Sequence, residues 1–590
     1  MKNSKINKLT ILFLTIVCVM GTVSCKKMLD LEPENQLDVS QAYRNVADAD
    51  AAVIGVYGKF LELGKNYIML NEVRADLMDV TANADPYLRE LSNHSTISKA
   101  NPYVDPRPFY EVILNCNDVM KNFDIMLAEH RMSVADYNMR YSDIGALRSW
   151  MYLQLGIHYG SVPYITKPLE TIDDLAGLAD YPKISFDELV TQLITFTEGL
   201  PYIQSYAYPA GSSLVVTVDG SNTNKVFVNK LVLLGDLYLW KNEYLKAATK
   251  YKALLETESN NSNINVSFNV YRIGVSQDVY NFAVSYARGQ EEGSLVYSLT
   301  SGWKSMFALP NTSSVWNVEW VWAMPYNAMF KPGNPFIEIF SLTQGKYSLK
   351  PSQVAINNWN SQTQFNGIPY DARGVMSYDP DVPGKPEITK FTDNSVALTS
   401  LNKGGSWNIS RAAGVHLHYI EAANRDGQGK LSYALLNRGI ANTYSPNVLN
   451  NSPTLAQVDS MQTPYPTSSP YYFDARNSGG ISSDFRKPWH RNAGIRGRAN
   501  IPALPVALQT NMLGLEDKVI DEAALELAFE GSRWSDLLRI ALRREKENAG
   551  SGKLFLKDKI AAKFIKGGLP VPAGVTALGN DVTSWYLPFK

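Results

Sequence analysis

The chain predicts a mainly α fold: a tetratricopeptide-like scaffold of helical pairs, interrupted by long irregular insertions containing short strands. Three observations predict it. Within 225–256, Leu231, Leu234, Gly235, Tyr238, Ala247, Tyr251 and Leu254 have the spacing of a two-helix repeat. Apolar residues recur near the 3.6-residue period at 38–57, 109–128 and 133–156. By contrast, about 258–405 and 441–515 are rich in Asn, Ser, Gly, Pro and aromatic residues and show weak periodicity.

In chain order, residues 1–24 read as a lipoprotein signal peptide. Lys2, Lys5 and Lys8 are followed by an apolar run from Leu9 to Val23, then Ser24 and Cys25. Those fifteen positions fall short of the roughly 20 residues of a spanning helix. Thr22 stands where a lipobox usually carries Leu or Val. Lipid on Cys25 is expected to tether the mature chain to a membrane it does not cross. A tether over 26–35 follows, and 25–590 reads as a single domain. Its scaffold covers about 38–257, 406–440 and 516–545, with variable insertions over about 258–405 and 441–515.

Ser40 is the expected cap of a first helix carrying Tyr43, Ala47, Ala51, Ile54 and Tyr57. A polar, Pro-containing loop spans 81–108, then helices are expected over 109–128 and 133–156, the latter ending at Gly156. In the repeat at 225–256, large apolar residues fill the space between two antiparallel helices. Gly235 and Ala247 allow close approach, and Asn242-Glu243 makes the turn. One pair cannot bury its own face, so others must stack on it. Weaker pairs are expected at 144–156, 411–437 and 521–540.

The 590 residues carry a formal charge of −1, and loss of three signal-peptide lysines takes the mature chain to near −4. That excludes a basic nucleic-acid field. Charged residues are only 19% while aromatics reach 11%, a balance suited to a neutral polar ligand. Of three cysteines, Cys18 leaves with the signal and Cys25 takes lipid, so Cys116 has no disulfide partner and reads as a core residue. Six scattered histidines provide no metal-binding pattern; His416 and His418, two apart, face different sides of a helix. No His-Glu-x-x-His, Gly-x-Ser-x-Gly or P-loop occurs. Asp371-Ala372-Arg373 reads as a loop ordered by an ion pair. No catalytic residue, cofactor or metal is expected.

Four stretches resemble the SusD/RagB family of Bacteroidetes outer-membrane lipoproteins. They are Cys25-Lys26-Lys27-Met28-Leu29-Asp30-Leu31-Glu32-Pro33; Ala146-Leu147-Arg148-Ser149-Trp150-Met151-Tyr152-Leu153-Gln154-Leu155 with Tyr159-Gly160-Ser161-Val162-Pro163; the repeat at 225–256; and Glu526-Leu527-Ala528-Phe529-Glu530-Gly531-Ser532-Arg533-Trp534-Ser535-Asp536-Leu537-Leu538-Arg539. Ser535-Asp536 stands where the family often has Phe-Asp. Trp585-Tyr586-Leu587-Pro588 is similar to the family's final Pro-containing strand. Arg148, Arg533, Trp534 and Asp536 are expected to hold helices together. The resemblance implies a non-catalytic cell-surface lipoprotein on the outer membrane, facing outward, that captures oligo- or polysaccharide. It also implies a partner, a SusC-like TonB-dependent transporter. A peptide-binding member of the family and a surface glycoside hydrolase stay open as alternatives.

Sugar rings pack their C–H faces on aromatic residues while amides and carboxylates meet the hydroxyls. The densest aromatic tract supplies Trp303, Trp316, Trp320, Trp322 and Tyr326 as candidate ligand contacts, with the core as the competing claim on the same rings. The loop at 81–108 supplies Asn83, Tyr87 and Asn101, with Asp85, Arg89 and Tyr103 beside them. A third tract, 465–489, contains Tyr471, Tyr472 and Phe473.

Overall fold

The computed structural model describes residues 42–169, 181–203, 211–218, 221–257, 303, 305–308, 319–327, 332–365, 367–380, 384–392, 404–445, 458–476, 487, 489 and 492–589. The predicted signal peptide, Cys25, Ser40 and Trp316 lie outside them. The first helix, α1 (Val46–Leu61), is capped by Asn45, whose side chain accepts from the Ala47 and Asp48 amides. Asn45 thus starts this helix, five residues later than the cap expected at Ser40. A short strand, β1 (Met78–Val80), and helix α2 (Pro86–Ser92) follow.

Helices α3 (Arg107–Ala128) and α4 (Val134–Tyr159) pack as an antiparallel pair. Ser133 caps α4, accepting from the Asp136 amide. The helix runs past Gly156 because that glycine serves packing: a Cβ there would sit 2.4 Å from the Phe186 ring. The stop is Gly160, at φ +74°. Cys116 on α3 is fully buried, and burial raises its thiol pKa to about 12.

Helix α5 (Phe186–Glu198) leads to the repeat pair, α6 (Lys230–Trp240) and α7 (Tyr244–Leu255). The turn between them holds Asn242 at φ +62°, a conformation Asn tolerates better than most residues. A Cβ on Gly235 would lie 2.4 Å from the Tyr251 ring, so the repeat's small residue sets the α6–α7 approach. The same stacking continues along the chain. Strand β2 (Trp320–Tyr326), helix α8 (Pro335–Phe340), strand β3 (Leu349–Pro351), helix α9 (Gln353–Asn360) and strand β4 (Gly405–Arg411) lie in or at the end of the first insertion. Scaffold then resumes with α11 and its partner after the short α10 (Ala372–Ser377): α11 is Ala412–Arg425 and α12 is Gly429–Leu436. Helices α13 (Met512–Glu526), α14 (Arg533–Glu547) and α15 (Ser551–Lys566) complete it. Packing runs α3–α4–α5–α6–α7–α11, with α12 and α13 both on α11 and α15 on α14. The result is mainly α, with small two-stranded sheets at the insertions.

Among these sheets, β1 pairs antiparallel with β3 (Met78 opposite Pro351, Val80 opposite Leu349), and β2 pairs with β4 across a register shift near Asn408 and Ser410. The end of the chain differs from the expected strand. Val582–Trp585 is a 3-10 turn, and beyond it the Leu587 amide donates to the His158 carbonyl at 2.8 Å. The Arg74 guanidinium holds the Trp585 carbonyl at 2.6 Å, so side-chain bonding replaces a ladder.

The Glu526–Asp536 run is a buried junction. Glu526 accepts from Arg373, Arg411 and Arg498, while Glu530 pairs with Arg411 and Lys390. Burial opposes charge on Glu526, but Arg498, Arg411 and Arg373 outweigh it and hold its carboxyl well below the usual range. Arg373 also pairs with Asp371, the expected loop ion pair. Arg533 grips Asp76 at 2.7 and 2.8 Å, and Arg74 lies 3.9 Å over the Trp534 ring. Arg148 donates to Asn117 at 2.7 Å, tying α4 to α3. Asp536 pairs with Arg539 and His418. These motif residues join helices and pin both insertions to the scaffold.

Candidate functional site

Most of the predicted aromatic platform lies in the core. Trp303 and Trp320 are fully buried, and Trp322 and Tyr326 are buried as well. Trp320 Nε1 donates to the Met306 carbonyl at 2.8 Å, and Trp322 Nε1 to the Val226 carbonyl at 2.7 Å. The Trp322 ring stacks on Phe60 with centroids 5.4 Å apart and meets Trp150 edge-on at 5.1 Å. The Tyr326 hydroxyl donates to the Leu61 carbonyl at 3.3 Å. The expectation that Trp303, Trp320, Trp322 and Tyr326 face a ligand is therefore corrected: each ring is covered by protein. Trp322 also edges an internal cavity of about 100 Å³ shared with Asp236 and His418, below the roughly 300–1,000 Å³ of small-molecule sites. In the third tract, Tyr471 and Phe473 are likewise buried.

The 81–108 loop behaves differently. Its N-terminal end leaves β1 and meets the first insertion where that insertion enters β3. The Thr81 amide donates to the Ser348 carbonyl at 2.9 Å, and its hydroxyl to the Tyr347 carbonyl. Asn83 is exposed and donates through Nδ2 to the Lys346 carbonyl at 3.0 Å. Asp85 caps α2, accepting from the Leu88 amide at 2.9 Å, and Pro86 occupies the first turn. The second Asp85 oxygen accepts from the Tyr103 hydroxyl at 2.7 Å. Burial, then the Asp85 carboxylate, raises the Tyr103 pKa. Arg89 ties the loop back on itself through the Thr81 and Ala82 carbonyls, each at 2.9 Å.

Asn101 is buried, and its amide is fully used. It donates to the Tyr87 carbonyl at 3.1 Å and to Glu90 at 2.9 Å, and accepts from the Tyr103 amide at 3.0 Å. Its placement corrects the expectation of a ligand contact: Asn101 shapes the loop. Tyr87, half-buried, has a phenol with no hydrogen-bond partner among the described residues. Around Tyr87, Tyr103 and Asn83 stand Lys65, 6.0 Å from the Tyr103 ring, and Lys346, 71% exposed and paired with Glu338 at 2.7 Å. Asn83, Asp85, Tyr103 and Lys346 thus gather where the loop meets the first insertion, with the half-buried Tyr87 on the adjoining α2. Sequence reasoning missed Lys65, Glu338, Lys346 and Tyr347, because nothing local to 338–347 shows that it meets residue 81. The one irregularity there, Tyr347 at φ +47°, is visible only in the fold.

No group of three or more His, Cys, Asp or Glu among the described residues could hold a metal ion. No helix among them is long and apolar enough to cross a membrane.

A SusD family model matches residues 492–563, which hold Arg498, the Glu526–Asp536 run and α15. Over these residues the chain is similar to the SusD family. A SusD-like protein of Formosa agariphila is 22% identical over 298 residues, 50% of this chain and 54% of that protein; the match thus spans about half of this curated relative. SusD-type structures match through most of the fold. A surface glycan-binding protein A from Bacteroides uniformis aligns over 92% of this chain and 96% of its own, with 14% identity and a TM-score of 0.54. A laminarin-binding SusD-like protein aligns over 91% and 98%, with 16% identity and a TM-score of 0.52. A SusD superfamily protein from Bacteroides vulgatus aligns over 91% and 97%, with 14% identity and a TM-score of 0.53. At these identities the likeness is one of SusD fold.

Proposed function

We propose that this chain is a non-catalytic, outward-facing outer-membrane lipoprotein, anchored through Cys25, that captures a neutral oligo- or polysaccharide and passes it to a SusC-like TonB-dependent transporter. The observation that carries the reading is the cluster of Asn83, Asp85, Tyr103 and Lys346 at the loop, with Tyr87 on the adjoining helix, on a SusD-like scaffold. Its rings suit sugar C–H faces, and its amide and charged groups suit hydroxyls. Two proteins of the same fold, described as laminarin-binding and surface glycan-binding, support the ligand class.

The burial of the carboxyls whose pKa values are raised supports binding without turnover. Glycoside hydrolysis needs a protonated acid and a second carboxyl flanking a reachable bond. Burial raises Glu72 to about 8 and Asp143 to about 6, yet both side chains are sealed in the core. Glu72 accepts from the Gly531 amide at 2.7 Å, and Asp143 pairs with Lys230. Neither can reach a glycan.

A face with few rings binds weakly, micromolar or looser, because displaced water returns much of each hydroxyl's hydrogen-bond energy. The test is calorimetry of the full chain against defined neutral glycans and peptides, with an assay for new reducing ends. Glycan affinity without new reducing ends is expected. Saturable peptide binding with no glycan affinity would replace the ligand class, and turnover would replace the non-catalytic assignment.

A further inference from the structure

A second open cleft lies away from the loop face. It holds about 520 Å³ between α9 of the first insertion and α15 near the C-terminus, within the roughly 300–1,000 Å³ of small-molecule sites. Its floor is the buried Arg533–Asp76 pair and the Lys559–Asp521 pair at 2.7 Å. One wall is apolar: Val354, Ala562 and Leu554, the last 54% exposed. Arg544 lies 4.5 Å over the Phe555 ring, so an aliphatic surface rather than an open aromatic face meets the cleft.

Charge is balanced there. Asp76, Asp517, Asp521 and Asp558 oppose Arg533, Arg544, Lys559 and Lys566. An ionic ligand gains little from such a lining, whereas a neutral polyol meets donors and acceptors around an apolar patch. Two groups remain available: the Asn358 side-chain amide and the Lys566 ammonium have no hydrogen-bond or ion-pair partner among the described residues.

The β1–β3 ribbon links the cleft to the loop face. Strands β1 and β3 form a ribbon whose one end carries Thr81 and Tyr347, at the loop face. Just beyond its other end the Ser352 hydroxyl donates to the carbonyl of Asp76, a residue of the cleft's floor, at 2.6 Å. The chain from 76 to 81 spans at most roughly 18 Å.

We propose that the α9–α15 cleft is a second subsite for neutral sugar residues, so that one glycan chain is held at both ends of the β1–β3 ribbon. The proposal rests on the glycan reading above. The apolar C–H face of a sugar lies on Leu554 and Ala562, and Asn358 and Lys566 bond its hydroxyls. Two weak sites on one polymer raise its affinity through effective concentration.

The test uses the full chain with neutral trisaccharides of β-1,3-glucan, α-1,4-glucan and β-1,4-xylan, and with their polymers. Calorimetry is expected to find two trisaccharide equivalents per chain for at least one series. Asn358→Trp, which fills the cleft, should reduce this to one and lower polymer affinity at least about tenfold. Lys566→Ala, at an exposed position, should weaken only the second equivalent, about threefold, which separates lost binding from lost folding. Wild-type stoichiometry and polymer affinity in both variants overturn the subsite while leaving the loop-face reading intact. Failure of the wild-type chain to bind any of these glycans overturns both.

Discussion

The 303–326 tract and the 81–103 loop both present aromatic residues beside polar ones, yet the fold uses them in opposite ways. In Trp320–Tyr326 nearly every position is apolar, with no alternation for a solvent side, and such a strand is covered on both faces. In 81–103, each ring is followed or preceded by Asn, Asp, Arg or Pro, and those groups hydrogen-bond to one another. The loop thus satisfies its own polar groups at the surface without sinking its rings into the core. Aromatic density marks burial in the first region; local polar self-satisfaction keeps rings at the surface in the second.

Substitutions test that contrast. Trp322→Ala should cost about 3–5 kcal/mol in chemical denaturation, with unchanged glycan affinity in the folded protein. A Trp322→Ala chain of native stability that no longer binds glycan would return the tract to the ligand site. Arg533→Ala leaves Asp76 buried without its partner and should cost about 3–5 kcal/mol in chemical denaturation. Asn101→Ala strips three hydrogen bonds from the loop and should destabilise by about 1–3 kcal/mol. If Asn101→Ala instead abolished binding at native stability, its role as a loop support would be wrong. Tyr87→Ala should change stability by less than about 0.5 kcal/mol, while glycan affinity falls about tenfold, or about 1.4 kcal/mol. An unchanged affinity would remove the loop face from the site.

The smallest signal is a slope with pH. Burial works against charge on His418, but Asp236 at Nδ1 and Asp536 at Nε2 outweigh it and raise its pKa to about 10, from 6.5. A folded-state pKa above the unfolded one stabilises fully below about 6.5, and that contribution fades as pH rises through about 10. Denaturation midpoints of wild type and His418→Gln should therefore converge between pH 6 and 10. A gap that widens with pH would refute the doubly paired imidazolium.

The scaffold was legible because helix signals are local. The repeat at 225–256 appeared with its close approach at Gly235 and its turn at Asn242. The buried roles of Arg533 and Trp534 followed from the family motif. Errors arose where a residue had two local meanings. Gly156 reads as a helix stop and is a packing contact. The proposed ligand face was half legible: Asn83 and Tyr87 were among its expected residues, while Lys346 joins from 263 residues away through its carbonyl bond to Asn83.

By itself the amino-acid order determined the helical class, the close-packed glycine of the repeat and the likeness to SusD proteins, because periodicity, small-residue spacing and motif order act within a few turns of chain. Tertiary structure alone decided which aromatic residues are wetted and which insertion meets which loop. Burial is a property of everything packed around a side chain, and for Trp322 that means Phe60 and Trp150, brought from distant helices.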